Sequence, residues 1–321
     1  MSGLVNGKWV SGDVAKEEIK NGAFHREETA FRETHIEPQA GRYQLFVSYL
    51  CPWASRTLIF RHLKGLEKFI SVSIAQPVIG ENGWTFDEPQ DAGDKIPAIR
   101  HVHELYTASD AHYTGKVSVP VLWDRQAGRI VNNESADIIR ILNHTFDALN
   151  GNQDDFYPTP LREEIDRWNE IIYHDVNNGV YKTGFAKTQE SYDVAVTRLF
   201  STLDMLEAHL DSHRYIAGEY LTEADWRLFV TLVRFDSAYH GAFKCNIRRI
   251  EDYPNLSNYL RELYQWPGIS DTVNLAHIKQ GYYGILWLNP TGIVPAGPEL
   301  DLRRAHNRER LDSLGIIQKL R

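Results

Sequence analysis

The chain has 321 residues, 42% of them hydrophobic and 24% charged, with a formal net charge of -8. That length exceeds a typical domain of roughly 100–200 residues, so two globular units are expected, each with apolar sequence for its own core. The composition excludes a disordered chain, and the acidic balance argues against binding a polyanion such as nucleic acid through bulk charge.

Met1 to Val14 mixes polar residues with glycine and lacks the apolar core of a secretory leader. The longest apolar runs, Leu58-Ile59-Phe60 and Ile285-Leu286-Trp287-Leu288, fall far short of the roughly 20 residues of a membrane span. Two cysteines make no disulfide framework, so a reducing, cytoplasmic setting is expected. In that setting the sequons at Asn133 and Asn143 stay silent.

Residues 43–49 read as a strand, with Leu45 and Val47 alternating with Gln44, Phe46 and Ser48. Leu50-Cys51-Pro52 ends it. Pro52 suits a first helical position, and Leu58, Ile59, Leu63 and Leu66 recur at helical spacing, so a helix begins at Cys51. Ile70, Val72 and Ile74 give a second strand and complete a βαβ unit. Residues 75–111 carry no long periodicity and read as an inserted loop over the domain. Residues 117–124 and 129–132 are two strands separated by a turn, as in a hairpin, and a helix follows over about 134–144. The order β-α-β then β-β-α is the thioredoxin plan.

Asn150-Gly151-Asn152-Gln153 and the prolines at 158 and 160 mark a linker, dividing the chain into residues 1–149 and 150–321. Beyond it the periods are helical: Ile165, Trp168, Ile171 and Ile172 in one segment, Leu199, Leu203, Leu206 and Leu210 in another. Thr222 to Asp225 reads as an N-cap opening a buried helix, with Asp225 where a capping box has Glu or Gln. The fold class is therefore an α/β thioredoxin-like N-terminal domain plus an all-α C-terminal domain.

Cys51 carries the chemistry. A helix N-terminus presents unpaired N–H groups and a positive dipole end, which favour a thiolate. In Cys51-Pro52-Trp53-Ala54 an alanine stands where a dithiol oxidoreductase has its resolving cysteine. A mixed disulfide at Cys51 must then be resolved by an external thiol, for which glutathione is the abundant candidate. The bland reading, an inert buried cysteine, suits Cys245 in Phe243-Lys244-Cys245-Asn246, where no helix start is signalled. Near Cys51, Val119-Pro120 is either an edge-strand proline or a cis bond offering the Val119 backbone to a peptide. Glu134-Ser135 either caps its helix or takes a carboxylate at Ser135 while Glu134 pairs an ammonium. No metal site is read: His101-Val102-His103 lacks partner ligands at a recognised spacing, and Gly115-Lys116 lacks the rest of a phosphate loop. The mixed-charge run 303–310 reads as a solvated face or helix.

The Cys51-Pro52-Trp53-Ala54 motif, the segment 113–124 (YTGKVSVPVLWD) and the helix start 133–140 (NESADIIR) together resemble the xi-class glutathione transferases, the glutathionyl-hydroquinone reductases. The likeness continues in Phe243-Lys244-Cys245-Asn246, His277-Ile278-Lys279 with Tyr282-Tyr283, and 289–294 (NPTGIV), nearly the full length. It implies Cys51 as nucleophile and glutathione as co-substrate, held by Trp84, Lys116, Val117, Ser118, Val119, Glu134 and Ser135. It also implies Tyr181 as proton donor or acceptor, and Tyr239 and Tyr282 as tyrosines near the thiol; for each, core packing is the plainer reading. Lys116 stands where the family often has arginine, keeping the charge but losing bidentate carboxylate pairing. A homodimer acting on glutathionylated aromatic small molecules is the implied working form. The alternatives are an omega-like thioltransferase or dehydroascorbate reductase using the same cysteine, and a non-catalytic ligand-binding protein.

Overall fold

A computed structural model of the chain describes residues 3–11 and 19–319; of the leader reading, residues 1–2 and 12–14 lie outside the described residues. The described chain forms two compact units, neither of them one continuous stretch. The first holds residues 3–11, 27–152 and 276–285, the second residues 19–26, 153–275 and 286–319.

Two ribbons come first in sequence. β1 (Gly3–Val5) pairs antiparallel with β2 (Lys8–Val10) in the first unit, and β3 (Ile19–Lys20) with β4 (Ala23–Phe24) in the second. The centre of the first unit is β5 (Tyr43–Val47), α1 (Pro52–Leu63) and β6 (Ser71–Ile74), with β5 and β6 parallel, as the spacing predicts. All five residues of β5 are buried, so the alternation read from the sequence does not translate into one wet face. Gln44 is accommodated by donating to Ser73 Oγ at 2.9 Å and accepting from Arg125 at 2.7 Å, which satisfies its amide inside the core.

Residues 75–111 are not a featureless insertion. They contain β7 (Thr85–Gln90), β8 (Ile99–His101) and α2 (His103–Ser109), each too short or irregular to leave a period in the sequence. β9 (Gly115–Lys116) pairs with β1 instead of extending the central sheet. β10 (Val121–Asp124) therefore starts four residues later than expected, after Pro120, which has no N–H for a ladder. β11 (Arg129–Asn132) closes the hairpin, and the sheet order is β11-β10-β5-β6. α3 (Ser135–His144) packs on α1, with Ile138, Ile139 and Leu142 fully buried, and α4 (Asp147–Asn150) ends at Gly151 with φ 73. Asn133 and Asn143 are both buried, leaving no surface for a glycan.

The second unit is helical apart from its short ribbons. β12 (Asp154–Asp155) pairs with β13 (Ile317–Gln318), the other strand at the far end of the chain. α5 (Arg162–Ile171) runs into a π-helical stretch over Ile172–Asn177 and then α6 (Gly179–Gly184). α7 (Gln189–Ser212) buries Leu199, Leu203, Leu206 and Leu210, the stripe expected of it. α8 (Glu223–Arg234) opens with the expected box: Asp225 accepts from the Thr222 N–H at 2.8 Å. Asp225 also accepts from the Ile216 N–H and the Tyr259 hydroxyl, each at 2.8 Å. A second π-helical stretch, Phe235–Tyr239, leads into α9 (His240–Ala242), followed by α10 (Pro254–Tyr264). α11 (Leu275–Tyr283) passes at residue 276 into the first unit.

The run 303–310 has only a short 3-10 turn, Arg308–Arg310, and is not a wholly solvated face. Arg308 is fully buried and donates to the carbonyls of Leu210, His213 and Arg214 at 2.6, 2.6 and 2.8 Å, capping the C-terminal end of α7.

Candidate active site

Cys51 is the N-cap of α1, with extended backbone (φ -77, ψ 120) and Pro52 at the first helical position. Its carbonyl accepts from Ser55 N–H at 3.0 Å, so the helix starts immediately after the sulfur-bearing residue. Cys51 is 8% exposed, and its thiol donates to the Val119 carbonyl at 3.4 Å. The Val119–Pro120 bond is cis. Thus the structure brings together two of the residues singled out from sequence, sixty-eight positions apart, at hydrogen-bond range.

The neighbouring segment is held by a residue the sequence reading missed. The buried Tyr106 hydroxyl donates to the Ser118 carbonyl at 2.8 Å, and accepts from Ser118 N–H at 3.2 Å and from the Asn133 amide at 3.0 Å. One phenol thereby ties the Lys116–Val119 stretch to the residues just before α3. Tyr113 donates to the Lys116 carbonyl at 3.0 Å and stacks with Phe31 at 5.7 Å between centroids. Burial pushes the phenols of Tyr106 and Tyr113 above the usual range, so both stay neutral donors at ordinary pH. As two of sixteen tyrosines, neither carries a sequence signal for this role.

At the start of α3, Glu134 is the N-cap: its carboxylate accepts from Ala136 N–H at 3.1 Å and from Thr29 Oγ1 at 3.4 Å. The capping reading is therefore realised, with the Glu134 backbone N–H fixed in turn by Asn132 Oδ1 at 2.8 Å. Ser135 accepts from Arg56 Nη1 at 3.3 Å. Arg56 lies on α1 one turn beyond Cys51, is 1% exposed, and has its guanidinium 4.7 Å from the Trp53 ring centroid. This buried cation links the two helix starts, and nothing in its local sequence separates it from a surface arginine. Two helix N-termini and an arginine in one region favour anionic groups there.

Trp84 lies in the same unit, buried, its carbonyl accepting from Val102 N–H at 3.0 Å. Tyr282 is 2% exposed, and its neighbour Gly281 lets α11 approach the cysteine loop closely. A Cβ on Gly281 would stand 2.6 Å from the Leu50 side chain and 2.7 Å from the Pro77 carbonyl oxygen. Tyr49 and His277 make an edge contact at 5.7 Å across the same seam.

Tyr181 and Tyr239 belong to the second unit, each following or ending a π-helical stretch. Such widened turns recur at functional sites. The two rings are 6.1 Å apart, and Tyr181 also meets Phe24, Phe185 and Phe243. Arg26 lies 5.0 Å over the Tyr181 ring while its Nε donates to Asn178 at 2.6 Å. Cys245 is fully buried here; burial pushes its thiol up, and its Sγ lies 3.8 Å from the Val180 carbonyl. His101 and His103 stack on each other at 5.1 Å, and among the described residues no group of three or more His, Cys, Asp or Glu side chains is arranged to hold a metal. No helix among the described residues is long and apolar enough to cross a membrane.

The chain is similar to known proteins along nearly its whole length. The family described as glutathione S-transferase, N-terminal domain, matches residues 50–145, and glutathione S-transferase, C-terminal domain, matches residues 189–262. The chain is 51% identical over 282 residues to the glutathionyl-hydroquinone reductase PcpF of Sphingobium chlorophenolicum, covering 86% of this chain and 90% of that one. It is 49% identical over 304 residues to the glutathionyl-hydroquinone reductase YqjG of Escherichia coli, covering 94% and 89%. Among solved structures, a xi-class glutathione transferase from Natrialba magadii superposes with a TM-score of 0.89 at 42% identity, covering 98% of each chain.

Proposed function

Because the chain belongs to the xi class of glutathione transferases, we propose that it is a glutathionyl-hydroquinone reductase in which Cys51 is the nucleophile. The observation that carries the reading is Cys51 at the N-cap of α1, beside the Val119 backbone, with Ala54 in place of a second cysteine.

The Cys51 thiolate attacks the sulfur of an S-glutathionyl-hydroquinone. The new bond is the Cys51–glutathione disulfide, and the carbon–sulfur bond to the ring breaks. An aryl carbanion is a poor leaving group, so the ring departs from its keto tautomer as an enolate and takes a proton to become the hydroquinone. Tyr181 moves that proton, and tyrosine hydrogen bonds to the ring oxygens stabilise the developing charge. Tyr282, in the same unit as Cys51, favours the ionised sulfur by donating a hydrogen bond to it, and Tyr239 is the second tyrosine to which the family likeness assigns a part in keeping the thiol ionised. A second glutathione thiolate then attacks the mixed disulfide, freeing Cys51 and releasing oxidised glutathione, so the kinetics are ping-pong.

Glutathione, the co-substrate, is held by Trp84, Lys116, Val117, Ser118, Val119, Glu134 and Ser135. The Val119 backbone pairs with the peptide in strand fashion, and the N–H groups at the start of α3 with Ser135 take a carboxylate. Glu134, already capping α3, pairs the glutathione ammonium. The working form is a cytoplasmic homodimer, which solution scattering tests.

Incubation with a glutathionylated hydroquinone should release free hydroquinone and leave a glutathione adduct on Cys51 by mass spectrometry. Full turnover by Cys51→Ser would end the proposal. Preferential turnover of dehydroascorbate or simple disulfides would instead place the enzyme with the thioltransferases.

A further inference from the structure

The ribbon β1–β2 is joined by Asn6-Gly7, whose φ values of 49 and 73 are those a two-residue hairpin turn requires. Such a ribbon is marginal alone, and this one is held by what it touches. The turn seats in the loop before β9: Gly7 N–H donates to the Tyr113 carbonyl at 2.9 Å, Asn6 N–H to Thr114 Oγ1 at 2.8 Å, and Asn6 Oδ1 meets His112 Nδ1 at 3.0 Å. Any Cβ on Gly7 would collide with the Ala111 carbonyl. β1 then pairs with β9, placing Gly3 opposite Lys116 and Leu4 opposite Gly115.

Trp9, on β2, grips a different segment. Its Nε1–H donates to the Glu81 carbonyl at 2.9 Å, and its ring stacks on His103 at 4.6 Å. Gly83, at φ +72, lies flat against the indole, since a Cβ there would stand 2.6 Å from the ring. Trp84 is the next residue. One ribbon therefore contacts both the backbone leading into Trp84 and the strand that begins Lys116–Val119.

We propose that this N-terminal hairpin is a brace that fixes the two segments relative to each other before glutathione arrives, with Trp9 as a positioning residue. The inference rests on the reading that Trp84 and Lys116–Val119 contact glutathione. Ordering the two loops in advance removes that cost from binding, so the hairpin acts on affinity for glutathione and not on the bond-making steps at Cys51.

The test is steady-state kinetics of the full-length enzyme with a glutathionylated hydroquinone and glutathione, for Trp9→Ala, Trp84→Ala and the double variant. Trp9→Ala should raise the KM for glutathione about 10-fold while kcat stays within about twofold. In the Trp84→Ala background the same change should add little, because Trp9 acts by placing Trp84. A KM raised by Trp84→Ala but untouched by Trp9→Ala overturns the brace and leaves the site reading standing. A KM untouched by Trp84→Ala overturns the site reading and the brace with it. Should Trp9→Ala not fold, Trp9→Phe keeps a ring against Gly83 and loses only the Glu81 bond, and Gly83→Ala displaces the indole from the other side. Both should raise KM; a fall in active enzyme at unchanged KM would mean the hairpin is only structural.

Discussion

Cys51 and Cys245 are both buried thiols near a backbone carbonyl, 3.4 Å from Val119 and 3.8 Å from Val180. What separates them is the end of the helix each occupies. Cys51 precedes α1, where unpaired N–H groups favour negative charge. Cys245 follows the end of α9: Lys244 has φ 57, and Cys245 N–H turns back to the Tyr239 carbonyl at 3.1 Å. That is the carbonyl end of a helix, where a thiolate is opposed, and burial raises the thiol further. With Cys51 proposed as the reactive thiol and Cys245 as the inert one, burial is common to both and the polarity of the nearest helix terminus is what distinguishes them.

The sharpest way to break this comparison is to remove each sulfur in turn. Cys51→Ser should lower turnover by at least about 1,000-fold, as loss of a nucleophile does, whereas Cys245→Ser should leave kcat within a few-fold; alkylation of the native protein should label Cys51 alone. Next in size, Tyr181→Phe should lower kcat about 100-fold with little change in KM, the expected loss for one proton-transfer group, read from single-turnover release of hydroquinone.

A third test contrasts a neutral buried group in the first unit with an acidic one in the second. Tyr106→Phe leaves the Ser118 and Asn133 donors without their acceptor, costing about 1–3 kcal/mol in denaturant unfolding and raising the KM for glutathione several-fold. Asp225 is the most specific case, since its effect appears only as a dependence on pH. Burial raises its carboxyl to about 6, above the roughly 3.9 of an unfolded chain. The protonated form is therefore favoured by folding, and its contribution is present in full below about pH 4 and lost as the pH rises through 6. Relative to Asp225→Asn, the wild type should lose on the order of 2–3 kcal/mol of unfolding free energy between pH 4 and 7; parallel curves would show that Asp225 does not titrate there.

The features legible in the sequence are those whose cause is local. The βαβ order, the hairpin read over 117–132 though its first strand starts only at Val121, Cys51 with Pro52 at a helix start and the Thr222 box all arise within a few residues, where periodicity and capping chemistry are written next to each other. The tertiary structure alone decided that Tyr106 ties Ser118 to Asn133, that Arg56 reaches Ser135, that Arg308 caps a helix ending near residue 212, and that Trp9 presses on Gly83. Each of these is a single side chain meeting backbone or a polar partner far along the chain. Such a contact depends on where packing delivers two segments, and it leaves no repeat or spacing in the sequence from which it could be read.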